Sequence, residues 1–120
     1  MLGYKLFGSG LDTLKVASIC QDVGTAISAA GTSQGTATSL TNTLNGIGTV
    51  AAGAGVVLYA GSAGDCQLVY NGGANPVNVY PPSGAQINGL AANAPHALAV
   101  RTACEYWFLS ATQVVGVLSA

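Results

Sequence analysis

Between Asp22 and Arg101 the chain carries a single charged side chain, that of Asp65. Charged residues make up 6% of the 120 residues, whereas an ordinary soluble domain has about 25%. Half of the residues are hydrophobic, so the chain can bury a core and fold as one domain. A free monomer usually stays soluble through a charged surface. The deficit therefore predicts a surface buried against copies of the chain or a larger assembly, the alternative being a monomer kept soluble by hydroxyl and amide groups.

The same composition excludes several classes of partner. Three basic residues cannot neutralise a run of phosphates, so we expect no nucleic-acid binding. A polybasic contact with a membrane surface is excluded for the same reason. The uncharged run over residues 46–64 is interrupted by glycines, and we interpret it as a strand between turns rather than as a membrane span.

The sequence holds one formal match to a catalytic motif. Residues 31–35 fit G-x-S-x-G around Ser33, and Asp65 and His96 follow in the chain order of an α/β-hydrolase triad. That motif needs an apolar strand before the serine and a helix after it, and here both flanks are small and polar. We therefore predict that the protein is not an enzyme and has no catalytic residues and no cofactor.

The three cysteines are Cys20, Cys66 and Cys104. They lie far apart, have no C-x-x-C spacing and share the chain with one histidine, which argues against a metal site. We interpret them as free thiols that act as small apolar side chains. A cross-strand bridge between Cys66 and Cys104 is the alternative.

Short apolar runs separated by Gly, Pro and Asn follow one another from residue 25 to residue 120. The runs 65–71 and 76–80 are joined by turn-forming residues and predict a hairpin. No helical spacing is sustained, so the expected fold is all-β, an antiparallel β-sandwich or jelly-roll-like domain over residues 25–120. Residues 1–24 hold four of the seven charges and are expected to form an extended N-terminal arm.

One run, residues 104–109, is apolar on both faces. Alternation places Cys104, Tyr106 and Phe108 on one side and Trp107 and Leu109 on the other. Because an antiparallel strand of a free domain normally has one wet face, we expect one side in the core and the other against a neighbouring subunit. The alternative is a central strand buried entirely within one chain.

Large apolar side chains are the candidate partner-binding residues, because such residues dominate the energy of protein interfaces. In the arm they are Tyr4, Leu6 and Phe7, and in the 104–109 run they are Tyr106 and Trp107.

Four segments carry a more specific pattern: AAGTSQGTATSL, GTVAAGAGVVL, YNGGANPVNVYPPSGAQING and WFLSATQ. In these segments the chain resembles small virion proteins of tailed bacteriophages, of the capsid decoration (cement) or fibre type. The resemblance implies a non-catalytic, β-rich homotrimer in the virion, most simply on the capsid exterior, where it would bind the major capsid protein or other virion proteins and stabilise the shell. The alternative is a tail- or head-fibre module that binds host surface glycans.

Overall fold

The computed structural model describes residues 22–119, and no helix that could cross a membrane occurs in that range. The regular structure there consists of β-strands alone, so the prediction of an all-β fold is confirmed. The strands are β1 (Val23–Ala29), β2 (Thr38–Ser39), β3 (Leu44–Val50), β4 (Gly55–Val57), β5 (Cys66–Asn71), β6 (Val77–Tyr80), β7 (Gln86–Ile87), β8 (His96–Leu98), β9 (Ala103–Ser110) and β10 (Gln113–Leu118).

The strands form two sheets between which the chain alternates. Sheet A has the order β1-β3-β5-β9-β10-β7, and sheet B has the order β2-β4-β6-β8. Within each sheet the first three strands pair in parallel. One strand of each sheet thus makes one coil, and three coils stack as in a β-solenoid. Val23 pairs with Leu44 and Leu44 with Leu68, so successive coils repeat after 21 and 24 residues.

The remaining strands close the stack at its C-terminal side. β8 pairs antiparallel with β6, β9 pairs antiparallel with β5, and β10 pairs antiparallel with β9. β7 then adds a short parallel pairing on β10. Five of the eight strand pairings in the described chain are parallel, so the prediction of an antiparallel sandwich or jelly roll is wrong.

The hairpin predicted for residues 65–80 is also absent, because β5 and β6 lie in different sheets. The chain turns a corner at Asn71, whose fully buried side chain holds the turn in place. Its Nδ2 donates to the carbonyl oxygens of Asn75 (2.9 Å) and Leu98 (3.0 Å), and its Oδ1 accepts from the Gly73 N–H (2.9 Å). These bonds direct the chain into the opposite sheet.

Both sheets contribute to one apolar core. Its fully buried members include Ile47 and Val69 from sheet A and Val56 and Val79 from sheet B. Gln67 is also fully buried among them. Its Oε1 accepts from the Tyr59 N–H (3.1 Å), and its Nε2 donates to the Tyr59 carbonyl (2.8 Å). The Gln67 amide thus makes the two backbone hydrogen bonds to Tyr59, in the loop before β5, that a neighbouring strand would otherwise make.

The edges of both sheets are short or irregular. β2, β7 and β8 have two, two and three residues. The longer edge strand β1 changes register twice against β3, and Ala26 within it has a φ of 54°, which a residue with a Cβ rarely adopts. β1 is therefore bulged at its centre.

The predicted arm falls almost entirely outside the described chain. Residues 1–21, with Tyr4, Leu6 and Phe7, are not among the described residues, and the predicted boundary after residue 24 lies inside β1.

Candidate functional site

Strand β9 divides its side chains between the core and the outer surface of sheet A. Cys104, Tyr106 and Phe108 are buried. Trp107 and Leu109 point the other way and are 43% and 65% exposed. The prediction that one face enters the core is confirmed, and the alternative of a strand buried on both faces is wrong. Contact of the exposed face with a neighbouring subunit stays a prediction.

The exposed side chains of β9 belong to a larger surface, the outward side of sheet A, which we call the apolar face. Its longest row crosses five strands through residues that are paired in register. From β1 to β10 the row is Val23, Leu44, Leu68, Glu105 and Val117.

Two shorter rows flank this one. On one side, Cys66 pairs with Trp107 and Trp107 with Val115. On the other side, Tyr70 lies between Gly46 and Ala103. Of the eight large apolar side chains exposed in the described chain, six lie on this side of sheet A: Val23, Leu44, Tyr70, Trp107, Leu109 and Val117. The surface is therefore apolar in three adjacent rows.

The charge on the apolar face is a single carboxylate. Four charged residues occur in the range 22–119, namely Asp22, Asp65, Arg101 and Glu105, and of these only Glu105 lies in the rows. Its Oε1 accepts a hydrogen bond from Trp107 Nε1 (3.2 Å). Because the surface carries so little charge, its removal from water has a small desolvation free energy.

The apolar face is not flat but contains a groove. A groove of about 210 Å³ lies in the row of Glu105, and the residues that line it include Leu68, Ala103 and Val117. For comparison, a cavity of about 150 Å³ accommodates a benzene ring. The groove can therefore receive one large apolar side chain, and Trp107 stands in the adjacent row.

The structure places the predicted partner-binding residue Tyr106 in the core. It is 0% exposed, so its side chain has no surface to offer a partner and that prediction is wrong. Burial raises the pKa of Tyr106 far above its ordinary value, so the hydroxyl stays protonated. It shares a hydrogen bond with His96 Nδ1 (2.8 Å). The two rings meet edge to face with centroids 5.7 Å apart. Burial lowers the pKa of His96, which is therefore neutral at pH 7.

We expect two separate losses of stability as the pH falls. The pKa of His96 is lowered from 6.5 by burial, so the unfolded chain takes up a proton first and stability declines as the pH falls below 6.5. The pKa of Asp22 is held below 3.8 by hydrogen bonds from Asn42 and Thr43, so its contribution is lost as the pH falls below 3.8.

Melting temperatures measured between pH 8 and pH 2, a range of about six units that covers both losses, test whether His96 causes the first loss and Asp22 the second. His96→Gln should remove only the first loss and Asp22→Asn only the second, so each variant is the control for the other. An unchanged pH profile in both variants would contradict both assignments.

The three residues of the formal hydrolase motif each bond in their own surroundings. Ser33 Oγ shares a hydrogen bond with Thr36 Oγ1 (2.9 Å), and Asp65 accepts from the Ser62 N–H (2.8 Å). His96 bonds to Tyr106 as described above. None of these bonds connects two members of the motif.

Cysteines and other metal ligands are dispersed in the described part of the chain. Cys66 and Cys104 are both free, and they lie on opposite sides of sheet A. Burial raises the pKa of both thiols. No group of three His, Cys, Asp or Glu side chains that could hold a metal ion occurs between residues 22 and 119.

Sequence reasoning missed several members of the apolar face, among them Leu44, Tyr70 and Val117. Alternation shows that such residues share a side of their own strand, but it does not show which strands are neighbours. Leu44 stacks on Leu68 at a spacing of one coil, but this spacing is 24 residues where the preceding one is 21, so no fixed repeat revealed it.

Comparisons of the chain with protein-family models, with curated proteins and with solved structures find no match.

Proposed function

We propose that this protein is a structural component of a bacteriophage virion, a decoration (cement) protein that binds the exterior of the head as a homotrimer and stabilises the shell. The proposal assigns it no catalytic activity, no cofactor and no contact with nucleic acid or membrane. Its partners are copies of itself and the major capsid protein or other virion proteins.

The apolar face of sheet A is the observation that carries the proposal. A surface of three apolar rows with one carboxylate is expected on a subunit that stays assembled, since exposed apolar patches of this kind mark interaction sites. The resemblance of residues 29–113 to phage decoration and fibre proteins supports the same class of protein.

The mechanism of a cement protein is mechanical. Each copy buries surface across a junction between capsid subunits, so that pulling the subunits apart exposes that surface to water. At about 25 cal/mol for each Å² of apolar area, modest contacts repeated over a shell strengthen it against the pressure of the packaged genome.

Imaging of the intact particle tests the proposal. A decoration protein covers the shell in many copies at symmetry-related positions. Absence of the protein from purified particles would overturn the proposal. A few copies confined to one vertex or to the tail would favour a fibre.

Deletion of residues 1–12 is expected to abolish binding to the capsid and to leave the trimer folded. The reason is that Tyr4, Leu6 and Phe7 are the predicted anchors of the arm, whereas the described strands begin at residue 23. Cosedimentation with capsids that lack the protein measures binding, and light scattering measures the oligomer. Undiminished binding by the shortened chain would refute the role of the arm.

A fibre module that binds host surface glycans is the second candidate. The stacked parallel coils favour it, because solenoids form elongated bodies with extended binding surfaces. Exposed Tyr70 and Trp107 could stack on sugar rings. Binding to a glycan array, together with location at the tail or at one vertex, would favour this candidate over the first.

A further inference from the structure

We infer that the apolar face of sheet A is the contact between copies of this chain, with Trp107 of one copy seated against the groove beside Glu105 of the next. This inference deepens the proposed function and rests on its homotrimer. It assigns the trimer contact to sheet A and leaves attachment to the capsid to other parts of the chain.

The size of the face fits a contact between subunits. Five strands at about 4.8 Å spacing, with about 3.3 Å for each residue along strands of six to eight residues, give a flat area of about 500 Å². In a ring of three, each copy shares its face between two neighbours, so the ring buries about 1,500 Å² in total and each contact about 500 Å², at the small end of protein interfaces. The protruding side chains add to this area.

The charge on the face favours another copy over an unrelated partner. A partner selected by charge would need a cluster of one sign to recognise, and the rows hold only Glu105, whose carboxylate already accepts from Trp107 Nε1. An apolar surface meeting its own copy needs no complementary charge. Such a contact also leaves few ionic groups to be stripped of water.

The shape of the apolar face also favours a second copy of the chain as its partner. The groove lies in the row of Glu105, and the protruding Trp107 stands in the adjacent row. Because the two features occupy different positions on one surface, a rotated copy can place its indole in the groove of its neighbour. Contacts of this head-to-tail kind close into a ring when the rotation fits, and three copies are the number that the proposed function requires.

A substitution at Leu109 tests the inference in the full-length protein. Leu109 is 65% exposed, so Leu109→Asp should not disturb the core, but it places a charge within the contact. We expect the variant to weaken self-association by about 30-fold or more. Ala97→Asp is the matched control, because Ala97 is exposed on β8 in sheet B. The control should assemble like the wild type.

Mass and fluorescence provide two independent measurements. Light scattering or native mass spectrometry at micromolar concentration gives the number of copies. Trp107 is the only tryptophan of the chain, so its emission reports directly on this face. The wild-type emission should shift to longer wavelength on dilution, and the Leu109→Asp emission should make the same shift at a concentration about 30-fold higher or more.

Several results would overturn the inference. A wild-type monomer at micromolar concentration would do so, as would an oligomer that Leu109→Asp leaves intact. A monomer with short-wavelength emission that does not depend on concentration would show that the chain covers its own face. These outcomes are separate from particle imaging: self-association without any copy in the virion would refute the proposed function and leave the inference standing.

Discussion

Replacement of Asn71 by alanine is expected to lower the free energy of unfolding by about 3 to 4 kcal/mol, because it leaves one buried and two half-buried backbone groups without partners. The amide now serves the carbonyl oxygens of Asn75 and Leu98 and the N–H of Gly73. Since the side chain and the Leu98 carbonyl are buried, water cannot replace that bond without opening the corner between the sheets. Such a loss is a large part of the stability of a typical domain, about 5 to 15 kcal/mol.

Denaturant unfolding at one fixed protein concentration measures the effect, because self-association also shifts apparent stability. Asn78→Ala is the matched control. The amide of Asn78 makes one long, exposed hydrogen bond, to the Gly53 carbonyl at 3.5 Å, and its loss should change stability by about 0.5 kcal/mol or less. Equal effects of the two substitutions would refute the role of Asn71 as the corner residue.

Gln67→Met is expected to destabilise the protein by about 2 to 3 kcal/mol. Methionine is similar in length and shape and maintains the packing, but it can neither accept from the Tyr59 N–H nor donate to the Tyr59 carbonyl. Both backbone groups then lose their partner beside the core. The loop before β5 should also exchange its amide hydrogens faster.

Gln86→Met separates this effect from a general effect of removing a glutamine. The amide of Gln86 donates to Gln113 Oε1 at 3.3 Å in an exposed position on the edge strand β7. We expect a change of about 0.5 kcal/mol or less in the same unfolding measurement. A destabilisation by Gln67→Met no larger than this would show that the Tyr59 backbone finds other partners.

The all-β class and the alternation within single strands could be predicted from the sequence. In β9 the alternation separated Cys104 and Phe108 from Trp107 and Leu109, as the structure has them. These are local properties, because the side-chain direction in a strand repeats every two residues whatever the strand pairs with.

The order of the strands could not be predicted in the same way. Residues 71–76 are turn-forming whether the chain folds back on β5 or crosses to the other sheet. The outcome depends on the bond from Asn71 to Leu98, a residue 27 positions away. The coil repeat was hidden because its spacing changes from 21 to 24 residues, so no fixed period appears in the sequence.

The candidate surface was predictable in part. Trp107 and Tyr106 are both large, apolar and adjacent, and the sequence alone placed them together as partner-binding residues. Alternation puts them on opposite sides of β9, and only the packing of sheet B against one of these sides shows that Tyr106 faces the core. The sheet order is what joins Leu44, Leu68 and Val117 into one row.

The bulged edge of sheet A limits how copies can grow on one another. A flat, exposed edge strand can pair with strands of further chains and form an open-ended sheet. Here the edge strand β1 is interrupted at Ala26. The other edge strands, β2, β7 and β8, have two or three residues each. The described edge strands of both sheets therefore disfavour the addition of a strand from another chain. Copies of the chain can then associate through the apolar face without adding further chains at the strand edges, so an assembly built on this face can stop at a fixed number of copies.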